Sequence, residues 1–313
     1  MSKALEPIRK AEVIPFSASI LAGQLSPSSI AMYKRDFTAY IDYATDAGFK
    51  WQDAATFASY RAYLASDATR LSPNTINRML SAVKRLMQEA ASQEVAGVTR
   101  EIAEAFEQTR GVKVGALKER TKQNARTRIS PEQMRALTDA PDTRTLVGLR
   151  DAALLHTLAS SGLRASELAT LTQAQVVKQG SGYLLRVRGK NETEYADAHL
   201  SHVAYDAIQN WLDERPVVSP YVFTSFSGRG DSRATHEHMT EEAVWQKITK
   251  YAARVGLEHV KPHDLRRFVG TRIYKDTHDP LKAQRALRHK RLETTVKHYI
   301  MDDIEVGLTD NLY

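Results

Sequence analysis

Between Lys261 and Tyr299 the chain places His263, Arg266, His289 and Tyr299 within 37 residues. The stretch opens with Pro262-His263-Asp264-Leu265-Arg266. A histidine and an arginine three apart at the start of a helix project from one face, and such a face suits a single anion. Leu287-Arg288-His289, Glu293-Thr294-Thr295 and Tyr299 follow, with Lys297 and His298 beside the tyrosine. Upstream, Gly162-Leu163-Arg164 precedes Glu167 by three residues. Two guanidiniums, two imidazoles and a phenol, with no metal cluster or nucleotide loop in the pattern, suit transfer of a phosphodiester to a side-chain hydroxyl. Arg164 and Arg266 stay charged and can bind the non-bridging oxygens in forked pairs. Tyr299, with an ordinary pKa of about 10, must lose its proton as it attacks. His263 is placed to accept that proton or to hold the phosphate, and His289 to donate a further hydrogen bond.

Each of these residues also has a plainer use. An arginine beside a glycine in an apolar helical segment either pairs with its own i+3 glutamate or is held to meet an outside anion, and Arg164 with Glu167 fits both.

The joint pattern resembles the tyrosine recombinases, the phage-integrase family. That family carries Gly-Leu-Arg followed by Glu, then Gly-Lys in a β-hairpin, then His-x-x-Arg, Gly-His and a nucleophilic Tyr. The resemblance covers roughly residues 25 to 300 and implies the catalytic set Arg164, Lys190, His263, Arg266, His289 and Tyr299, with Glu167 behind them. Lys190 is then the proton donor to the leaving deoxyribose oxygen, if burial against DNA lowers its pKa. The resemblance further implies a 3′-phosphotyrosyl intermediate and no cofactor, and no Gly-x-x-x-x-Gly-Lys-Ser/Thr loop is present. Two departures stand out. Residue 288 is Arg where the family has Gly, and Tyr299 follows His289 by ten residues where nine is usual.

The elements that must position these groups follow from periodicity and caps. Residues 1–20 read as an arm and 21–109 as a helical, SAM-like core-binding domain. Its first helix is capped by Ser28 or Ser29 and buries Ile30, Tyr33, Phe37, Tyr40, Ile41 and Ala44; a second spans about 54–64. A third opens at Ser72-Pro73. On the third helix Arg78, Lys84 and Arg85 fall outside the apolar stripe, and the resemblance turns them from a solvated face into DNA contacts. Residues 110–128 carry seven basic residues and one acid. They read as a linker, with Lys118, Arg120 and Lys122 strapped along phosphates.

The region 129–313 is then an α+β catalytic domain, opening at the capping sequence Ser130-Pro131-Glu132-Gln133 and containing a hairpin over 183–200 with Lys190 at its tip. The fold class expected is mainly α with a small antiparallel sheet. His236 and His238 lack a third ligand at helical spacing, so no metal is assigned.

Forty-four Lys and Arg against 37 Asp and Glu give a net charge of +7. That excess favours a polyanionic partner. Zero cysteines exclude disulfides and thiolate chemistry, and no apolar run approaches a membrane span, so a cytoplasmic protein is expected. The expected activity is site-specific recombination of mobile DNA at an inverted-repeat core site on double-stranded DNA. A chain monomeric in solution would act there as a homo-tetramer on two duplexes, with accessory DNA-bending or directionality proteins. Too few residues precede Ser28 for a further arm-binding domain. A DNA-binding relative that has lost catalysis and a type IB topoisomerase-like nicking-closing enzyme are the alternatives. The intact residue set disfavours the first, and the motif spacing the second. The tail after Tyr299, with Ile304, Val306, Leu308 and Leu312 among acids, is expected to dock on its own domain or on a neighbouring protomer.

Overall fold

A computed structural model describes residues 21–94, 97–120, 129–189, 194–228 and 233–296. The chain divides into two compact units, Met1–Asn124 and Ala125–Tyr313. Among the described residues no helix is long and apolar enough to cross a membrane.

The first unit is helical: α1 (Pro27–Asp46), α2 (Ala54–Ala65), α3 (Pro73–Ser92) and α4 (Arg100–Glu107). The cap of α1 is Ser26, whose hydroxyl accepts from the Ser29 backbone N–H, rather than Ser28 or Ser29. Pro27 then takes the first helical position, where its missing N–H costs nothing. Ser72 caps α3 ahead of Pro73 in the expected way. Phe37, Tyr40, Phe57, Tyr60 and Phe106 are buried together, so an aromatic cluster fastens α4 onto α1 and α2. Helix α4 was not anticipated from sequence.

The residues expected to form the linker are partly bound to this unit. Val112 is buried, its N–H donates to Asn77 Oδ1 at 2.7 Å, and its carbonyl accepts from Asn77 Nδ2 at 2.9 Å. Arg61 holds the Arg110 carbonyl at 2.7 Å, and Arg120 pairs with Asp67. A 3₁₀ segment, Val114–Arg120, continues from there. Residues 121–128, Lys122 among them, lie outside the described residues, as does the Lys118 side chain.

The cations of α3 are also engaged at home. Arg78 pairs with the buried Asp36. Lys84 reaches Glu107, and Arg85 donates to Gln24 at 2.6 Å. The Asp36 carboxylate, buried in the helix bundle, needs a counter-ion, and Arg78 supplies it.

In the second unit, α5 (Pro131–Asp139) begins with the Ser130/Gln133 capping box. Next come α6 (Leu146–Ser161), the short α7 (Ala165–Ala169), β1 (Val176–Gln179), β2 (Gly182–Val187), β3 (Ala196–Leu200), α8 (His202–Glu214), β4 (Thr224–Ser227) and β5 (Arg233–His238). Helices α9 (Glu241–Arg254), α10 (Pro262–Thr277), α11 (Pro280–Leu287) and α12 (Leu292–Thr295) complete the described part. The strands form an antiparallel sheet β1-β2-β3 and a two-stranded ribbon β4-β5. Strands β2 and β3 are the expected hairpin, in register from Tyr183 opposite Leu200 to Val187 opposite Ala196.

The core of this unit gathers Leu154, Leu158, Leu168, Trp211, Phe223 and Leu265. Inside it Arg150 and Asp151 are fully buried as a pair at 2.7 Å. Arg150 also donates to the Thr224 carbonyl, and Tyr251 donates to Asp151 at 2.9 Å, so the charges are satisfied while α6, β4 and α9 are pinned together.

Candidate active site

Helix α6 ends at Gly162, whose φ of +60° is the left-handed conformation that closes a helix. A Cβ there would stand 2.9 Å from Leu287 Cδ2 and 3.4 Å from Val269, so glycine is required for space as well as for φ. That close approach brings the chain after α6 against α10 and α11. Arg164 then becomes the N-cap of α7, and Glu167 sits at its third position, where the carboxylate accepts from the Arg164 backbone N–H at 2.8 Å.

The internal pair that the i+3 spacing allows does form, with Arg164 Nη1 to Glu167 Oε1 at 2.6 Å. It does not consume the guanidinium. The Arg164 side chain is 42 % exposed while Glu167 is buried, so the carboxylate orients the arginine from behind. Burial pushes the Glu167 carboxyl up, but Arg288, then the Arg164 backbone N–H and guanidinium, outweigh it and hold the group below the usual carboxylate range.

Pro262 starts α10, and His263 in its first turn is exposed. Arg266, one turn further, is only 1 % exposed. Its Nη1 donates to the Gly162 carbonyl and its Nη2 to the Leu287 carbonyl. Arg266 thus bonds the carbonyls that end α6 and α11. Helix-terminal carbonyls lack intrahelical donors, and a buried guanidinium is a strong partner for two of them.

Arg288 ends α11 at φ +54°, the left-handed cap position. His289 follows, half-buried, with Nδ1 2.9 Å from the hydroxyl of the buried Thr295. Its backbone is fixed from both sides by Gln284. Burial, and then the charges of Arg266, Arg164, His263 and Arg288, push the His289 pKa down to about 4. The imidazole is therefore neutral at neutral pH, and it feels every cation of the site.

Leu163, Arg164, Trp245, Lys261, His263 and Arg266 line one open cleft of about 680 Å³. A second cleft, about 410 Å³, is lined by Glu167 together with Arg186, Arg188 and Tyr195 from the turn end of the β2–β3 hairpin. The β2–β3 hairpin thus lies beside Glu167. Lys190 itself and Tyr299 lie outside the described residues. Trp245 and Thr295 were not expected at the site. An isolated aromatic on an amphipathic helix reads as core, and a threonine offers no spacing signal of its own. His236 and His238 bond backbone carbonyls, and among the described residues no group of three or more His, Cys, Asp or Glu is arranged to hold a metal ion.

Comparison with known proteins adds independent findings. Residues 127–305 match the family described as Phage integrase family, and residues 16–94 match the Phage integrase, N-terminal SAM-like domain. The chain is 29 % identical over 282 residues to tyrosine recombinase XerD of Vibrio vulnificus, covering 87 % of this chain and 84 % of that one. It is 29 % identical over 282 residues to tyrosine recombinase XerC of Pelobacter propionicus, with 88 % and 85 % covered. In fold it is similar to the XerH site-specific recombinase bound to a palindromic difH substrate, at TM-score 0.66 and 15 % identity over 95 % of this chain and 94 % of that one. A lambda integrase fragment bound to a core site gives TM-score 0.63 at 13 % identity, with 94 % and 98 % covered.

Proposed function

The chain belongs to the phage integrase family and is a tyrosine site-specific recombinase acting on DNA, and from that premise we propose that the cleft at Arg164, His263 and Arg266 takes the scissile phosphodiester. The supporting observation is the convergence of Arg164, His263, Arg266 and His289, where burial first, and then the charges of the other three with Arg288, depress the His289 imidazole. Three cationic or donor groups around one opening suit the charge that gathers on non-bridging oxygens in the transition state.

In this reading Tyr299 Oη attacks phosphorus, the phosphorus–O5′ bond breaks, and a 3′-phosphotyrosyl link and a 5′-hydroxyl result. His263 receives the phenol proton or binds the phosphate, and Lys190 protonates the leaving oxygen. His289, neutral, donates a hydrogen bond without adding charge. Attack by the 5′-hydroxyl of a partner strand reverses the step and frees the tyrosine, so bond energy is conserved and no nucleotide cofactor is consumed. We further assign the protein an inverted-repeat core site on double-stranded DNA, a homo-tetramer on two duplexes with accessory DNA-bending or directionality proteins, a monomer in free solution, and a cytoplasmic location.

Single-turnover cleavage of a nicked DNA substrate tests the site. Arg164→Ala and His263→Ala should each slow covalent adduct formation, the arginine by roughly two to three orders of magnitude, with DNA binding retained. Near-parental rates in both variants would remove the phosphate from this cleft.

A further inference from the structure

Position 288 holds an arginine in a backbone conformation that favours glycine. Its φ is +54° at the C-cap of α11, where a side chain costs about 1 kcal/mol relative to glycine. The side chain is nonetheless turned inward, 8 % exposed, with Nη2 2.7 Å from Glu167 Oε2. Glu167 Oε1 is the atom that holds the Arg164 guanidinium, and Oε2 also accepts from the Arg164 backbone N–H. One buried carboxylate therefore joins Arg164 to Arg288, which lies 121 residues beyond Glu167 in sequence.

The residue next to Arg288 is His289, whose backbone N–H and carbonyl are both held by Gln284. The bridge thus runs from Arg164 through Glu167 and Arg288 to the backbone of His289. The Arg164 backbone N–H and guanidinium hold one oxygen each, and the Arg288 bond adds a second charge-assisted hold, so the carboxylate cannot turn about its terminal torsion without breaking it.

We propose that Arg288 is a positioning residue that fixes Glu167, and through it the guanidinium of Arg164, in register with His289 for phosphate binding. This rests on the phosphate-site reading above. In place of the glycine usual in the family at this position, the chain carries a tether between the first arginine motif and the histidine that follows α11.

The test compares Arg288→Gly, Arg288→Lys, Glu167→Gln and the double variant Arg288→Gly/Glu167→Gln, with Arg164→Ala as reference. Glycine suits φ +54°, so Arg288→Gly should keep its thermal midpoint and its affinity for DNA. Its single-turnover cleavage should fall roughly tenfold to a hundredfold, the worth of one charge-assisted bond expressed as rate. Arg288→Lys, which has the same backbone strain but keeps a charge for Glu167, should recover most of that loss. In the Glu167→Gln background, Arg288→Gly should have little further effect, because the partner through which it acts is already altered. Parental cleavage by Arg288→Gly, or a full additive loss in the double variant, would overturn the tether. If Arg288→Lys folds but does not regain rate over Arg288→Gly, that also overturns it. Should Arg164→Ala itself cleave at the parental rate, the phosphate-site reading fails instead, and the two failures are told apart by that one variant.

Discussion

Arg164 and Arg266 are the same residue type in two different physical situations. The first is 42 % exposed at its side chain and rests on Glu167; the second is 1 % exposed and bonded to two helix-terminal carbonyls. Their alanine variants should therefore separate. Arg164→Ala is expected to lose cleavage while its stability changes by less than about 1 kcal/mol, the usual worth of a partly exposed pair. Arg266→Ala should lose cleavage and about 2–5 kcal/mol of stability, since two buried carbonyls are left without their donor. Thermal or urea unfolding of the two variants decides this, and equal stability would contradict the burial of Arg266.

His289 gives a second expectation at this scale. Its folded-state pKa, about 4, lies below the ordinary histidine value, so between those two values the unfolded chain binds more protons than the folded one. Its contribution to stability is thus fully present above the ordinary value and is lost as pH falls toward 4. His289→Gln should flatten the loss of stability between about pH 6.5 and 4, read by unfolding at several pH values. An unchanged pH profile would mean that the imidazole does not sit among Arg266, Arg164 and His263.

Elements set where these side chains stand, and many of them are legible as sequence. Ser72-Pro73 and Ser130-Pro131 with Gln133 open α3 and α5 as their capping chemistry requires. The alternating segments 183–188 and 195–200 form β2 and β3, and the His263/Arg266 spacing falls in the first turns of α10. What stays hidden depends on partners distant in sequence. The charged pair Arg150–Asp151 lies in an apolar helix because Thr224 and Tyr251 satisfy it, and no local pattern announces them. Arg288 reads as added charge and reduced freedom until Glu167, from another segment, gives it a partner.

The basic run 110–128 reads as one strap, but its first part is docked: Arg120 pairs with Asp67, and Asn77 fastens Val112. Removing Arg120 should therefore act mainly on the stability of the helical unit. Lys118→Ala with Lys122→Ala should lower the salt slope of DNA binding by up to ~0.9 for each phosphate left without its lysine, with the ranking of target sequences kept. A salt slope that responds to Arg120 and not to the two lysines would return the docked segment to the DNA.

At the scale of the whole molecule, matches to both parts of the family span residues 16–94 and 127–305. The tail beyond Tyr299 lies outside the described residues. Its Ile304, Val306, Leu308 and Leu312 offer apolar anchors. Docking on a neighbouring protomer would couple delivery of Tyr299 to assembly. Deleting residues 304–313 should then spare binding of one protomer to a half-site while abolishing cooperative filling of the second half-site, measured by titrating a full site in a mobility-shift assay. Undiminished cooperativity would place the tail on its own domain. Delivery of the tyrosine is also where the ten-residue interval from His289 bears most directly. The most direct measurement is to incubate the full chain with nicked DNA fragments of the host replicon, digest the protein-linked product, and identify the nucleotide-bearing peptide by mass spectrometry. The expected adduct is on Tyr299 and is abolished in Tyr299→Phe, with DNA binding kept. An adduct on any other residue, or one that survives Tyr299→Phe, would contradict the assignment of phosphate, arginines and nucleophile to this one site.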